Sequence, residues 1–254
     1  MPRAAREKSS TGIYHIILRG INRQNIFEDE EDAIRLLETI ESYKEKCGYE
    51  IYAYCFMGNH IHLLIKEGKE ELGIVFRRIG ASYVYWYNWK YKRCGHLFQD
   101  RYKSEPIEDD TYFSTVLRYI HRNPLKANIV KDIEKYKWSS YNEYVNEGKI
   151  CKIDYALKIF SENNGKAKEL FKAFIEEEND DKCLEISDEY YRLTDEETKK
   201  IISRLVNVKN ASDFQRLEIA KRNKHIKKLL KKGISTRQLS RLTGISRSII
   251  LKYS

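Results

Sequence analysis

Polar and apolar positions along residues 12–19 (GIYHIILR) are dominated by β-branched and aromatic side chains that stop at Gly20, which predicts a strand. From 29 to 46, Ala33, Leu36, Leu37, Ile40 and Tyr43 recur at helical spacing behind an acidic first turn, and Gly48 follows as a stop. Residues 49–57 and 60–66 carry two more strand patterns joined at Gly58-Asn59, a hairpin signal. A second long helix is predicted over 71–91, although its aromatic density also suits a strand. A strand follows near 97–107, then a helix over about 109–122 that must end before Pro124, because proline disfavours helical backbone at the residue preceding it. The order β-α-β-β-α-β plus a helix predicts an α+β, ferredoxin-like antiparallel sheet with helices on one face. That architecture hosts unrelated functions and decides none of them.

Residues 138–144 close this first part, assigned to 1–147. Composition then shifts to helix-like stretches around a polar turn at Asn163-Asn164-Gly165 and an acidic run over 176–181, which predicts a helical connector over 148–194. Residues 195–254 are again basic and read as all-α. Their end combines apolar Ile234, Leu239 and Leu242, a turn at Thr243-Gly244-Ile245, and Ser246 capping a last helix with Ile249 and Ile250, a helix-turn-helix pattern.

A length of 254 residues leaves room for one sizeable core and a smaller module. The net charge of +9, from 47 Lys and Arg against 38 Asp and Glu, favours a polyanionic partner. No apolar run is long enough to span a bilayer, and the basic start is followed by Ser9, Ser10, Thr11 and Gly12 in place of an apolar stretch, so the expectation is a cytoplasmic protein with no membrane partner. Five widely spaced cysteines without a C-x-x-C pair read as reduced thiols. The 19 tyrosines, interleaved with Lys and Arg, suit stacking on unpaired bases as well as core packing.

Candidate chemistry concentrates in residues 58–65 (GNHIHLLI), where His60 and His62 lie two apart on a strand and so share a face. Two imidazoles there can hold one divalent ion, while Ile61, Leu63 and Ile65 point the other way into a core. The same pair also suits exposed or hydrogen-bonded core histidines. Residues 117–127 (LRYIHRNPLKA) place Tyr119 and Asn123 four apart on one helix face. A tyrosine with the ordinary pKa of about 10 is a poor nucleophile near neutrality, so it needs a cation or a base beside it. A metal held by His60 and His62 meets that need, with Asn123 completing its shell. Tyr112, seven residues earlier on nearly the same face, reads either as a second nucleophile or as a packing or DNA contact; His121 points elsewhere on the helix, and His15 and His96 read as structural or exposed.

GNHIHLLI resembles the HUH signature of the single-tyrosine transposases, and RYIHRNPLKA resembles the tyrosine helix of their REP-associated branch. Thr11-Gly12-Ile13-Tyr14-His15 and Arg19-Gly20-Ile21-Asn22-Arg23 also look like that branch's first strand and loop, so the resemblance covers roughly residues 2–144. It implies a ferredoxin-like or RRM-like HUH nuclease domain, dependence on Mg²⁺ or Mn²⁺, and a covalent 5′-phosphotyrosine intermediate with a free 3′-OH. By position it makes His60 and His62 metal ligands, Asn123 the third ligand and Tyr119 the nucleophile. Gly58 stands where many relatives have proline, which a hairpin turn tolerates, and the helix-turn-helix tail lies outside the family's minimal domain. Shorter relatives are commonly dimers, whereas the REP-associated branch resembles monomers, which leaves the oligomeric state open.

For DNA, Arg19, Asn22, Arg23 and Gln24 form a polar loop after the first strand, and Arg77, Arg78, Arg101 and Lys103 add charge near strand and helix ends. Interleaved with Tyr83, Tyr85, Trp86, Tyr87 and Trp89, they suit single-stranded or hairpin DNA. Ser246, Arg247 and Ser248 begin the second helix of the C-terminal pattern, where contacts to duplex DNA arise. The expected function is a metal-dependent single-stranded DNA endonuclease and strand transferase, a transposase or a domesticated relative. The competing readings are a non-catalytic DNA-binding regulator and an RNA-binding protein using the same sheet.

Overall fold

In the computed structural model, residues 6–185, 193, 195–208 and 210–253 are described. They form two compact units, Met1–Ile186 and Ser187–Ser254. The first is built on strands β1 (Ile13–Arg19), β2 (Glu50–Met57), β3 (His60–Lys66) and β4 (Lys103–Ile107). Helix α1 (Glu30–Cys47) links β1 to β2, α2 (Leu72–Lys90) links β3 to β4, and α3 (Asp110–Lys126) comes after β4. Every pairing is antiparallel in the order β2-β3-β1-β4, the ferredoxin-like arrangement. The predicted strand at 97–107 is shorter than expected: its first half reaches the sheet only through a bridge from Phe98 to Gly20.

Strand alternation sends side chains to two different cores. Tyr14, Ile16, Leu18, Ile61, Leu63 and Ile65 pack with Leu36, Ile40, Val75, Phe76 and Ile79 of α1 and α2. Ile13, Leu64, Ala53, Cys55 and Ile107 face the opposite way, onto Phe113, Val116, Leu117 and Ile120 of α3. Helices therefore cover both faces, correcting the one-face expectation, because α3 has an apolar stripe of its own to bury. Asp29 caps α1 in a capping box with Asp32, and Gly48 ends the helix in the left-handed conformation at φ 69°.

Two further corrections concern the segment after β4. Helix α3 does not stop before Pro124 but contains it and runs to Lys126. The missing proline N–H falls in the last turn, where only one intrahelical bond is lost. Beyond it, α4 (Tyr141–Val145), α5 (Ile153–Phe160) and α6 (Asn164–Glu176, with Asn163 as its cap) add Tyr144, Ala156, Leu157, Ala167, Phe171 and Ile175 to the α3 core. The helices of the stretch read as a connector over 148–194 thus belong to the first unit; 186–192 and 194 lie outside the described residues.

The second unit contains α7 (Asp195–Val206), α8 (Ala211–Arg216), α9 (Ile219–Lys231), α10 (Thr236–Thr243) and α11 (Arg247–Leu251). Ile202, Phe214, Ile226, Leu229, Leu239 and Ile250 form its core. Gly244, at φ 70°, reverses the chain between α10 and α11, a conformation that strains a side chain with a Cβ. Ser246 occupies the cap position of α11, but its hydroxyl makes no cap bond and pairs with Ser248 Oγ at 3.1 Å. Among the described residues no helix is long and apolar enough to cross a membrane.

Because Phe171 is fully buried against Tyr144, with ring centroids 4.5 Å apart, Phe171→Ala should cost about 3–5 kcal/mol. A fragment ending at residue 147 should likewise unfold at lower urea than one ending at 186. Equal midpoints for the two fragments would place the α5–α6 layer outside the folded core.

Candidate active site

β3 carries His60 and His62 on the face covered by α3, and Tyr119 of α3 arrives over them. The Tyr119 ring centroid lies 5.6 Å from that of His62, and the His60 and His62 centroids are 5.0 Å apart. The helix is held there by its apolar stripe and by Arg118, whose guanidinium grips Asp181 through two bonds of 2.7 and 3.0 Å and reaches Glu177 at 3.2 Å. The acidic run at 176–181 thus supplies anchors for the tyrosine helix.

Each candidate ligand has one ring nitrogen engaged. His60 Nδ1 lies 2.6 Å from Asn59 Oδ1, and His62 Nδ1 lies 2.9 Å from His15 Nε2. Burial, aided by the Arg19 charge, lowers the His60 pKa to about 4, and burial with two neighbouring imidazoles puts His62 well below its ordinary value. Both rings are neutral near pH 7, the state in which imidazole binds metal. Asn123 sits one turn after Tyr119 and donates from Nδ2 to the Tyr119 carbonyl at 2.9 Å, so its Oδ1 is the atom left to act as a ligand. Among the described residues no three His, Cys, Asp or Glu side chains converge as a metal cluster; the donor set available is two imidazoles and one amide.

The Tyr119 phenol is only 4% exposed and donates to Glu185 at 3.1 Å. Burial and then that carboxylate raise its pKa above the usual tyrosine value, while the Asn123 amide acts the other way. Lys126 lies 5.0 Å from the ring centroid. His15, read from the sequence as structural or exposed, is instead buried inside the site. On β1 it is the polar member of the Ile13, His15, Ile17 row, the row that faces α3, but nothing in the sequence ties that row to residue 62. Glu105 and Glu185 were also missed, since only the fold brings β4 and the segment after α6 to the same place. Tyr112 bonds Glu105, whereas His121 is buried away from the site beside Ser140 Oγ at 2.8 Å, and His96 is exposed.

The DNA-contact candidates divide by location. Arg19 is the register partner of His60, and Lys103 shares the face of Glu105 on β4. The loop holding Asn22, Arg23 and Gln24 is tied to the histidine hairpin by Gly20 N to Asn59 O at 2.8 Å, Ile26 N to Gly58 O at 2.8 Å and Asn59 Nδ2 to Arg23 O at 3.3 Å. A Cβ on Gly20 would sit 2.2 Å from Gln24 O, so the loop turns this tightly only with glycine there. Arg101 is exposed just before β4. Arg77 and Arg78 lie on α2, across the sheet from the histidines, with Arg78 paired to Glu70 at 2.7 Å. Tyr83 and Tyr87 are core residues, which removes them from the aromatic DNA surface expected over 83–89 and leaves Tyr85 and Trp89 exposed. Ser246, Arg247 and Ser248 are exposed on the second unit.

Residues 8–123 match the family model described as Transposase IS200 like. The match takes in all four strands, α1, α2 and most of α3. A Haemophilus influenzae protein named among the REP-associated tyrosine transposases is 28% identical over 119 residues, 41% of this chain and 67% of that protein. A solved REP-associated tyrosine transposase bound to a REP hairpin has the same fold, with a TM-score of 0.51 at 20% identity over 61% of this chain and 90% of that one. Both of these relatives are named as REP-associated tyrosine transposases.

The histidines give the domain an acid sensitivity of defined sign. A ring that is neutral when folded but protonates near 6.5 when unfolded makes stability rise with pH, because the unfolded chain binds more protons. Stability should fall as pH drops from about 6.5 toward about 4 for His60, and toward about 3 for the buried His121. Glu105, whose pKa is lowered, adds its own loss only below 4.5. A urea midpoint that stays flat from about pH 7 to about pH 5 would contradict the neutral burial of these rings.

Proposed function

We propose that the chain is a metal-dependent endonuclease and strand transferase that nicks single-stranded DNA beside a hairpin, with Tyr119 as the nucleophile. The observation that carries this reading is the arrival of the Tyr119 ring 5.6 Å from His62, on the face shared with His60. The REP hairpin held by the structural relative supports hairpin DNA as substrate, as does the net charge of +9.

His60 and His62 through Nε2, with Asn123 through its amide oxygen, would hold Mg²⁺ or Mn²⁺; the fit rests on both Nδ1 atoms being occupied and both rings being neutral. Such an ion supplies charge stabilisation at the scissile phosphate. Tyr119 gives up its proton, for which Glu185 is already the hydrogen-bond acceptor, and its oxygen bonds to phosphorus as the P–O3′ bond breaks. The products are a 5′-phosphotyrosine and a 3′ oxygen that takes a proton from solvent; reversal by another 3′-OH rejoins strands. Arg19, Asn22, Arg23, Gln24, Arg101 and Lys103 bind the strand near the site, and the α10–α11 pair, led by Ser246, Arg247 and Ser248, binds duplex DNA. A regulator that binds DNA without cutting it is the second reading, favoured by the burial of Tyr119, which is 4% exposed and whose pKa burial raises.

Incubation with labelled hairpin-flanked single strands and Mn²⁺ should give a covalent adduct, absent without the ion. Tyr119→Phe should abolish the adduct while DNA still binds, Tyr112→Phe should keep it, and Asn123→Ala should fall between. Binding without any adduct from the unaltered protein would favour the regulator. Separately, removing residues 195–254 should weaken DNA affinity and flatten its salt dependence while a short optimal strand is still cut. An unchanged salt slope would mean that the second unit does not contact phosphates.

A further inference from the structure

The same sheet face holds a row of polar side chains that the proposed chemistry leaves unused. Glu105 on β4 is the register partner of His15 on β1, and His15 lies diagonally across from His62 on β3. His15 is fully buried, its Nε2 is 2.9 Å from His62 Nδ1, and its Nδ1 faces Glu105 Oε2 at 3.6 Å. The two imidazoles stack with centroids 5.2 Å apart and an interplanar angle of 22°. Glu105 is itself held, by the Leu184 N–H at 3.0 Å and by the Tyr112 phenol.

We propose that His15, backed by Glu105, is a positioning residue that fixes the tautomer and ring orientation of His62. A neutral imidazole carries one N–H and one acceptor nitrogen. At 3.6 Å the Glu105 carboxylate is beyond hydrogen-bond distance of His15 Nδ1, which has no hydrogen-bond partner among the described residues. Its negative charge favours the proton on that nearer nitrogen electrostatically. That leaves His15 Nε2 as an acceptor, and His62 must then donate from its own Nδ1. The lone pair of His62 is thereby placed on Nε2, the nitrogen needed for a metal. Without the carboxylate and His15, the two His62 tautomers lose the contact that distinguishes them, and the Nε2–H form would present a proton where a lone pair is required. Ligand imidazoles in general depend on such an acceptor behind them.

The proposal rests on the metal reading for its purpose but not for its test. In the full chain without metal, long-range ¹H–¹⁵N NMR should find His62 as the single Nδ1–H tautomer; an Nε2–H form in the unaltered protein would overturn the proposal at once. His15→Phe, checked for folding by circular dichroism, should leave His62 as a mixture of tautomers and weaken Mn²⁺ binding by about 10- to 100-fold. His15→Gln, whose amide can both accept from His62 and donate to Glu105, should restore affinity to within about threefold. If His15→Phe fails to fold, Glu105→Ala serves in its place, with tautomer mixing expected and a single Nδ1–H form overturning the proposal. Failure of the unaltered protein to bind Mn²⁺, with the Nδ1–H tautomer intact, would defeat the metal reading and leave the relay standing.

Discussion

Two imidazoles sealed from water must find their hydrogen bonds in each other, and much of the first unit is arranged around that need. His15 is fully buried and His62 is 2% exposed, so leaving the two facing nitrogens unbonded would cost about 1–3 kcal/mol. The other His15 nitrogen, Nδ1, lies 3.6 Å from Glu105 without a hydrogen-bond partner among the described residues. Their bond exists only in the register that sets Ile17 opposite His62 and His15 opposite Leu64. A slip of one residue would turn the rings toward Leu36, Val75 and Phe76 and drive Ile16 and Leu63 toward α3. The polar pair and the two apolar cores therefore specify the same pairing of β1 with β3.

The tyrosine is located by a different kind of constraint. Phe113, Val116, Leu117 and Ile120 set the rotation of α3 on the sheet, which leaves Tyr119 at the edge of the buried stripe, where it meets the histidines. Arg118, the neighbouring residue, is buried except for its grip on Asp181 and Glu177, and this fixes the helix along its axis as well as around it. Glu185 lies farther along the same stretch of chain and ends on the phenol. Anchor, tyrosine and acceptor are thus delivered by one helix and one segment packed on it.

The loop after β1 joins this arrangement through backbone bonds. Gly20, Gly58 and Asn59 bind it to the histidine hairpin, so Asn22, Arg23 and Gln24 are set by the same turn that presents His60. Positive charge around the site is consequently part of the scaffold, while Arg77 and Arg78 on the far helix layer belong to a separate surface.

Features that depend on neighbours along the chain were legible in the amino-acid order alone. Strand alternation put His60 and His62 on one face, helical spacing put Tyr119 and Asn123 on one side, and Gly48 and Gly244 marked the reversals they make. The motif resemblance joined the histidines to the tyrosine without any contact being visible. Features that depend on residues distant in sequence were settled by the folded chain. His15 carried no spacing signal toward residue 62, because cross-strand pairing has no fixed separation along the chain. Glu105 and Glu185 reach the site by sheet order and by the packing of α6, and neither is encoded in a local pattern. The boundary of the first unit moved for the same reason: a polar turn between α5 and α6 and an acidic run after them look connector-like in one dimension, yet Ala156, Leu157, Phe171 and Ile175 find a matching apolar face on α3 only when the chain folds back.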